Sequence, residues 1–277
     1  MCTLLLGRDV IAPGTVLIAA NRDEDPRRPT DPPGVLAQTP HVVGGRDRVA
    51  GGTWLAVRGR EAVVAMLNRH DPAAAAASRT HAAAAAGLRS RGLLALEVAA
   101  VPEDFAGRLE LPAGHQILLG TIRDHTGTAV PGAALSRAWA GASARAYAPF
   151  TMVFAAPEAC WLLAFEAGRP RIQAISEGWH AITHRDLDDR TEPRTARMLE
   201  ALEGFRPRSL DEAIQRMGEL LRLHDAPPVC LHEGRMVTVS SSIVWLAADE
   251  ARYLHVEGRP CERPFVDHTD LLTPTIH

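Results

Sequence analysis

Residues 1–25, MCTLLLGRDVIAPGTVLIAANRDED, hold the pattern that decides the fold. Two short apolar runs, CTLLL at 2–6 and TVLIAA at 15–20, flank a segment rich in turn-forming residues. Apolar runs of this length, separated by Gly, Pro and Asp, are typical of a β-hairpin. The pattern therefore predicts a hairpin that starts at the second residue and whose second strand ends at NRDE, residues 21–24.

Outward from this hairpin, strand patterns alternate with helix patterns along the chain. The prolines of 26–41 predict an ordered loop, and residues 109–148 carry no clear pattern. We expect a hairpin with strands 53–58 and 61–67, a helix at about 84–100, a four-stranded meander over 150–184, helices at 191–203 and 209–224, and a closing hairpin with strands 236–247 and 252–257. This order predicts two antiparallel sheets packed face to face with helices outside, in one domain spanning 1–277.

Composition narrows the class of protein. Hydrophobic residues make up 46% and charged residues 23% of the 277 residues, which is ordinary for a globular protein. The net charge of −3 gives no reason to expect a nucleic acid partner. No apolar run approaches the ~20 residues of a bilayer span, and the start lacks the basic region of a signal peptide. We therefore expect a cytoplasmic protein without a membrane span.

Two residue types are depleted. All 30 basic residues are Arg, and the absence of Lys excludes a Schiff-base lysine and a P-loop lysine. Asparagine occurs only at Asn21 and Asn68, each at the end of a predicted strand. Both fit local turns, but side chains at strand ends can also reach a site at a sheet edge. We interpret the two asparagines as candidates for function.

Cys2 is the first candidate for chemistry. Removal of Met1 would leave Cys2 at the N-terminus, with an α-amine whose pKa is about 7.7–8.0. Such an amine can act as the general base for the thiol of its own residue. The alternative is that Cys2 is a small apolar residue at the start of a strand.

Other polar residues lie near the ends of the predicted strands. Arg22 could hold a thiolate or an oxyanion by its charge, and Asp23 or Asp25 could orient the α-amine. The Asn68 amide could donate a hydrogen bond to an oxyanion. Trp54, after two glycines, could stack on a ligand, although core packing is the commoner use of such a Trp. The alternative for the acidic cluster is a solvated hairpin tip.

Metal ligands are the next possibility. His180 and His184 would form a metal pair on a helix, but HAITH has a strand pattern, which places them about 13 Å apart. The four cysteines contain no C-x-x-C pair. Cys230 and His232 are interpreted as core or surface residues. The sequence therefore predicts no metal site.

Several stretches together resemble one family, the NRDE proteins, also called the transport and Golgi organisation protein 2 family. The resemblance runs in order from residue 1 to about 267 and implies an α+β fold, a four-layer αββα sandwich of the N-terminal-nucleophile hydrolase type, as in bile salt hydrolases and penicillin V acylases. The stretches that carry it are MC at 1–2, ANRDE at 20–24, GGTWL at 51–55, LN at 67–68, RG at 91–92 and TVSSS at 238–242.

The resemblance also implies roles for individual residues. It implies Cys2 as the nucleophile, Arg22 as the arginine after the second strand and Asn68 as an oxyanion donor. The related amidohydrolases have an aspartate three residues after that arginine, which corresponds to Asp25, while Asp23 belongs to the NRDE signature itself. Both aspartates stay candidates.

The chain departs from the amidohydrolase pattern at two positions. His184 stands where a second active-site asparagine is expected, and its imidazole could also donate a hydrogen bond. Val239 lies nearest to the position of a late arginine. Asn21 and Trp54 are candidates for substrate binding.

Two functions follow as expectations. The first is a cysteine hydrolase or acyltransferase that acts on a small-molecule amide and requires no cofactor. The second is a non-enzymatic protein of the same fold that binds or carries haem or an acyl-CoA, since members of the family are linked to haem handling and lipid metabolism. A degenerate hydrolase without a small-molecule role is a third reading.

Overall fold

The computed structural model describes residues 2–69, 87–101 and 132–274. The strands in these ranges are β1 Thr3–Arg8, β2 Val16–Glu24, β3 Thr30–Ala37, β4 Val42–Asp47, β5 Leu55–Arg58, β6 Ala62–Asn68, β7 Phe150–Ala155, β8 Cys160–Glu166, β9 Arg169–Ala174, β10 Gly178–Ile182, β11 Val237–Leu246, β12 Ala251–Glu257 and β13 Val266–Asp267. The helices are α1 Arg91–Ala99, α2 Ala133–Ala144, α3 Pro193–Leu202 and α4 Leu210–Leu221, with a 3₁₀ turn at Thr269–Leu272. None of these helices is long and apolar enough to cross a bilayer.

The strands form two antiparallel sheets. One has six strands in the order β10-β1-β2-β11-β12-β13, and the other has seven in the order β3-β4-β5-β6-β7-β8-β9. One core fills the space between the sheets, a second lies between the seven-stranded sheet and helices α1 and α2, and a third lies between the six-stranded sheet and helices α3 and α4. The predicted four-layer αββα sandwich is confirmed.

Alternation along β1 decides which way each side chain points. Leu4 and Leu6 pack between the sheets, whereas Leu5 packs against the helices. Because successive side chains of a strand point to opposite faces, Cys2 falls on the inter-sheet face and Thr3 on the helix face. The partly buried Cys2 indeed packs against the inter-sheet core.

Most of the predicted elements are found with shifted ends. Both early hairpins, the helices near 191–203 and 209–224 and the closing hairpin are present. The helix expected at 84–100 is described from Arg91, and residues 84–86 lie outside the described residues. Helix α2 occupies part of the unassigned stretch 109–148, of which residues 109–131 also lie outside the described residues.

Two predictions about the strands were wrong. The expected loop at 26–41 contains β3, an edge strand in which Pro32 and Pro33 fall at a register shift. Proline is tolerated there because an edge strand has one side without ladder hydrogen bonds. The fourth strand of the expected meander, β10, leaves the other three and pairs with β1 in the second sheet, with Leu4 opposite Ile182.

Two glycines fix the start of α1 against β5. A Cβ on Gly52 would lie 2.2 Å from the carbonyl carbon of Gly92, and a Cβ on Gly92 would lie 2.7 Å from the Thr53 oxygen. The Thr53 N–H donates to Gly92 O at 3.1 Å. Only residues without a side chain allow this contact, which brings the first turn of α1 towards the end of the sandwich that carries Cys2.

Glu192 caps helix α3 and is expected to contribute measurably to stability. Its carboxylate accepts hydrogen bonds from Thr195 N at 2.7 Å and from the Thr183 hydroxyl at 3.2 Å. Burial acts to raise its pKa, but the hydrogen bonds from Thr195 outweigh burial, so the pKa is lowered. We expect Glu192→Ala to lower the free energy of unfolding by about 1–2 kcal/mol in urea titrations at neutral pH.

The pH dependence of this effect has a definite sign. A carboxylate whose pKa is lower in the folded protein stabilises it above the unfolded pKa of about 4.3, and the contribution is lost as the pH falls through the folded pKa. The difference in the free energy of unfolding between wild type and Glu192→Ala should therefore become smaller in acid. Glu200→Ala, on the exposed face of the same helix, is the control and should change stability by less than about 0.5 kcal/mol. A difference in unfolding free energy between wild type and Glu192→Ala that grows in acid would contradict this account.

Candidate active site around Cys2

The Cys2 thiol lies where β1 begins. Its Sγ is 3.9 Å from the backbone oxygen of Asp23, to which the thiol donates. Burial raises the pKa of this thiol, and the nearby Asp23 carboxylate acts in the same direction, against the weaker opposing effect of Arg22. A thiol in this environment stays protonated at neutral pH unless a base removes its proton.

Arg22 supplies a fixed positive charge on the same sheet face as Cys2. Its guanidinium carbon lies 4.2 Å from the centre of the Trp54 ring, which is a cation–π contact, and its Nη2 lies 3.7 Å from a Glu24 oxygen. The side chain is only 6% exposed. Stacking on Trp54 thus holds the guanidinium in place. Trp54 also lines the cleft described below.

Asp23 points to the helix face, opposite to Arg22. Its carboxylate accepts a hydrogen bond from the Thr238 hydroxyl at 2.7 Å and forms an ion pair with Arg194 at 3.4 Å. Arg194 also donates to the Thr3 hydroxyl at 3.0 Å. Burial raises the pKa of Asp23, with Thr238 and Arg194 acting against it. A buried acid therefore lies next to the start of β1, held by α3 and β11.

One cleft joins several of the sequence candidates. It has a volume of about 340 Å³ and is lined by Cys2, Arg22, Asp23, Trp54 and Asn68, among others. Asn68 is the last residue of β6 and is half-buried. The cleft thus lies where β1 of the six-stranded sheet begins and where β2 of that sheet and β6 of the seven-stranded sheet end. Cys2, Arg22 and Asn68, which lie far apart in sequence, all line this one cleft.

Three other candidates lie outside this group. Asp25 pairs with Arg27 at 2.8 Å, and these hydrogen bonds hold the pKa of its carboxyl well below the usual range. Asn21 has its side chain on the helix face, where it donates to Leu221 O at 2.9 Å and to Val229 O at 3.0 Å. The polar atoms of Asp25 and Asn21 thus bond to groups outside the cleft, and neither residue lines it with Cys2.

His184 is the third candidate that does not line the cleft. It follows β10, and the pairing of Leu4 with Ile182, if continued, brings its backbone beside Cys2. The side chain is half-buried. The register thus explains why the resemblance aligned this position with the site, but the imidazole is not among the groups that face the cleft.

Three residues near Cys2 were not singled out from the sequence for a role in the site. Arg91, at the start of α1, lines the cleft and donates to Pro149 O at 3.0 Å, and burial lowers its pKa. Arg194 and Thr238 hold Asp23. Arg91 and Thr238 lie in the RG pair at 91–92 and the TVSSS stretch, which contributed only to the family resemblance. Nothing in the local sequence distinguishes Arg194 from the other arginines around it.

Comparison with known proteins identifies the family of this chain. The sequence matches the family model described as Transport and Golgi organisation 2 over residues 1–243. The chain belongs to this family. The resemblance proposed from the sequence is therefore confirmed. No curated protein sequence matches the chain.

Two solved structures to which this member of the family is similar are named as hydrolytic enzymes. The Caenorhabditis elegans ortholog of N-acylethanolamine-hydrolyzing acid amidase aligns with a TM-score of 0.56 and 13% identity, over 88% of this chain and 92% of that chain. A mutant of conjugated bile acid hydrolase from Clostridium perfringens covers 97% of this chain and 96% of that chain at 9% identity, with a TM-score of 0.37. At 13% identity, the first likeness establishes the shared fold.

The ion pair between Asp23 and Arg194 is expected to matter for stability. Replacing Arg194 with Met leaves a buried carboxylate without this cation, which typically costs about 3–5 kcal/mol. The difference in unfolding free energy from wild type should narrow as the pH falls, because protonation of Asp23 removes the charge that Arg194 balances. Urea unfolding at several pH values measures it. Arg208→Met removes an ion pair of an arginine that is 90% exposed and should cost less than about 1 kcal/mol. Equal effects of the two substitutions would contradict the role given to Arg194.

Proposed function

We propose that the protein is an N-terminal-nucleophile cysteine hydrolase or acyltransferase that acts on a non-peptide amide C–N bond. The observation that carries this proposal is the convergence of Cys2, Arg22 and Asn68 on one cleft. The amidase-type sandwich supports a hydrolytic reaction in general. The cleft volume of about 340 Å³ is near the lower end of small-molecule sites, which favours a small amide over a polypeptide.

Activation of the thiol needs a base, because burial raises the thiol pKa. Removal of Met1 would supply one as the α-amine of Cys2 itself. The amine takes the thiol proton, and the thiolate forms a C–S bond to the amide carbonyl carbon while the π electrons move to the oxygen. Arg22 stabilises the thiolate by its charge. We assign stabilisation of the resulting α-ammonium to the buried Asp23 carboxylate, whose partner Arg194 also donates to Thr3, the residue after Cys2.

Breakdown of the tetrahedral intermediate completes acylation. The Asn68 amide donates to the oxyanion, a contribution worth about 2.7–4 kcal/mol in comparable sites. The C–N bond then breaks, and the leaving amine takes the proton from the α-ammonium. Attack on the Cys2 thioester by water gives a carboxylic acid, whereas attack by an acceptor amine gives acyl transfer.

Intact-mass spectrometry tests the proposal. The purified protein is incubated with a panel of N-acyl-7-amino-4-methylcoumarins of different acyl length and quenched in acid. We expect a mass that lacks Met1, an added acyl group that maps to Cys2, and release of the fluorescent amine. Iodoacetamide at neutral pH should label Cys2 and block the release. Active protein that retains Met1, or turnover without any acyl group on Cys2, would overturn the mechanism.

The alternative from the sequence, a carrier of haem or acyl-CoA, predicts different results. A haem carrier would shift the Soret band on titration, and a protein that uses the Cys2 thiol as ligand would lose that shift on Cys2→Ala. An acyl-CoA carrier would show a rise in melting temperature that grows with ligand concentration. Binding of either ligand without acylation of Cys2 would favour the carrier.

A further inference from the structure

A second cluster of reactive side chains lies away from the cleft, where the loop after α4 meets the loop after β12. The Cys230 and Cys261 sulfurs are 3.5 Å apart, and Nε2 of His232 lies 3.1 Å from the Cys261 sulfur and 3.9 Å from the Cys230 sulfur. His224 joins them, since one ligand atom each from His224, His232 and Cys261 lie within 4.8 Å of one another. Cys230 is linked to this set through its contacts with His232 and Cys261, so the cluster holds two sulfurs and two imidazoles.

These separations resemble the edges of a tetrahedral zinc site. Zinc binds thiolate sulfur at about 2.3 Å and imidazole nitrogen at about 2.0–2.1 Å, so neighbouring ligand atoms around it lie roughly 3.3–3.8 Å apart. The three measured distances among Cys230, His232 and Cys261 scatter around this range. We propose that His224, Cys230, His232 and Cys261 form a structural Cys₂His₂ site for Zn²⁺.

The surroundings of the two histidines support this assignment. Nδ1 of His232 lies 3.7 Å from a Glu262 carboxylate oxygen, and Nδ1 of His224 lies 3.2 Å from the Arg222 backbone oxygen. A metal-bound histidine commonly donates its other N–H to such an acceptor. With Nδ1 turned towards these oxygens, Nε2 is the nitrogen on the other side of each ring, and in His232 it is the one next to the sulfurs.

The site would join the loop after α4 to the loop after β12, which the Arg222 side chain already links by a hydrogen bond to Pro260 O at 2.9 Å. The first loop is also tied to the region of Cys2, because Leu231 N donates to the Thr238 hydroxyl at 2.8 Å and that hydroxyl donates to Asp23. A closed four-ligand site is structural rather than catalytic. Zinc would therefore fasten the loop that supports Thr238 and, through it, Asp23.

The sequence alone predicted no metal here, for a physical reason. The four residues are separated by 6, 2 and 29 positions, whereas the recognisable zinc motifs bring paired ligands from short repeats such as C-x-x-C. Only the docking of the β12 loop on the 224–232 loop brings Cys261 to the other three.

Metal analysis of the untagged full-length protein tests this proposal. The protein is prepared with reductant, given excess ZnCl₂ and passed through a desalting column. We expect about one equivalent of retained zinc per protein, measured by inductively coupled plasma mass spectrometry. Titration with CoCl₂ should give the visible d–d bands of tetrahedral cobalt and a thiolate-to-cobalt charge-transfer band, because two thiolates would be ligands.

Variants assign the ligands. His224→Ala, at an exposed position, and Cys261→Ser, at a half-buried one, should weaken zinc binding by more than the roughly 10–100-fold expected for losing an outer partner. Cys2→Ala removes a thiol elsewhere and should bind zinc like wild type. Circular dichroism checks that each variant folds. No retained zinc, equal zinc in Cys261→Ser and wild type, or a Cys230–Cys261 disulfide in reductant-treated protein would overturn the proposal.

Discussion

Cys2→Ala protein is expected to fold normally and to release no fluorescent amine above background. The Cys2 side chain is only partly buried and its hydrogen bond to Asp23 O is long, so its loss should change the free energy of unfolding by less than about 1 kcal/mol. Loss of the nucleophile removes the covalent route altogether, and the expected fall in kcat/KM is roughly 10⁴-fold or more. Rates with the N-acyl-aminocoumarin panel, measured beside urea unfolding, give both quantities.

Cys160→Ala is the matched control for this experiment. Cys160 is 1% exposed in the core between the sheets, and burial raises its thiol pKa to about 12. Its replacement should lower stability by about 1–2 kcal/mol and leave kcat/KM unchanged. Wild-type turnover in Cys2→Ala would remove Cys2 from the chemistry, whatever its position in the cleft.

Replacement of Asn68 is expected to lower kcat by roughly 10²–10³-fold, with little change in KM. The amide would donate to an oxyanion that exists only in the transition state, so Asn68→Leu removes an interaction absent from the ground state. The half-buried position at the end of β6 makes a large loss of stability unexpected. Steady-state kinetics of the two proteins separate kcat from KM.

Asn21→Leu gives the contrast, because the chain has only these two asparagines. The Asn21 side chain holds Leu221 O and Val229 O and accepts from the Ser241 hydroxyl at 2.5 Å. Leaving these buried groups unpaired should cost about 3 kcal/mol of stability. If Asn68→Leu lost stability instead of kcat, the amide would be a structural group like that of Asn21, and the oxyanion role would be wrong.

Local patterns were enough for much of the fold. The first hairpin was predictable because both faces of β1 and β2 are buried, so each strand is a continuous apolar run, with turn-forming residues between the two. The edge strand β3 was missed because its prolines cannot donate hydrogen bonds, and a sequence does not reveal that the strand lies at an edge. The position of β10 was missed because its alternation is the same in either sheet, and only packing against β1 decides between them.

Part of the candidate site was also predictable from the sequence. The strand-end argument led to Arg22 and Asn68, which do line one cleft with Cys2. Alternation also explains why Asp23, next to Arg22, faces the helices. The partner of Asp23 could not be predicted, since Arg194 reaches it from α3 and the docking of a helix on a sheet leaves no local pattern in the sequence.

The central claim is that the α-amine of Cys2 is the base for its own thiol. The most direct test uses one preparation of the protein with a removable domain fused in front of Cys2. A specific protease cuts off this domain and leaves Cys2 as the first residue. We expect the fused protein to hydrolyse the aminocoumarin amides roughly 10²–10⁴-fold more slowly than the cleaved protein, the range of a lost general base. Equal rates before and after cleavage would show that no free amine at Cys2 is needed and would contradict the account.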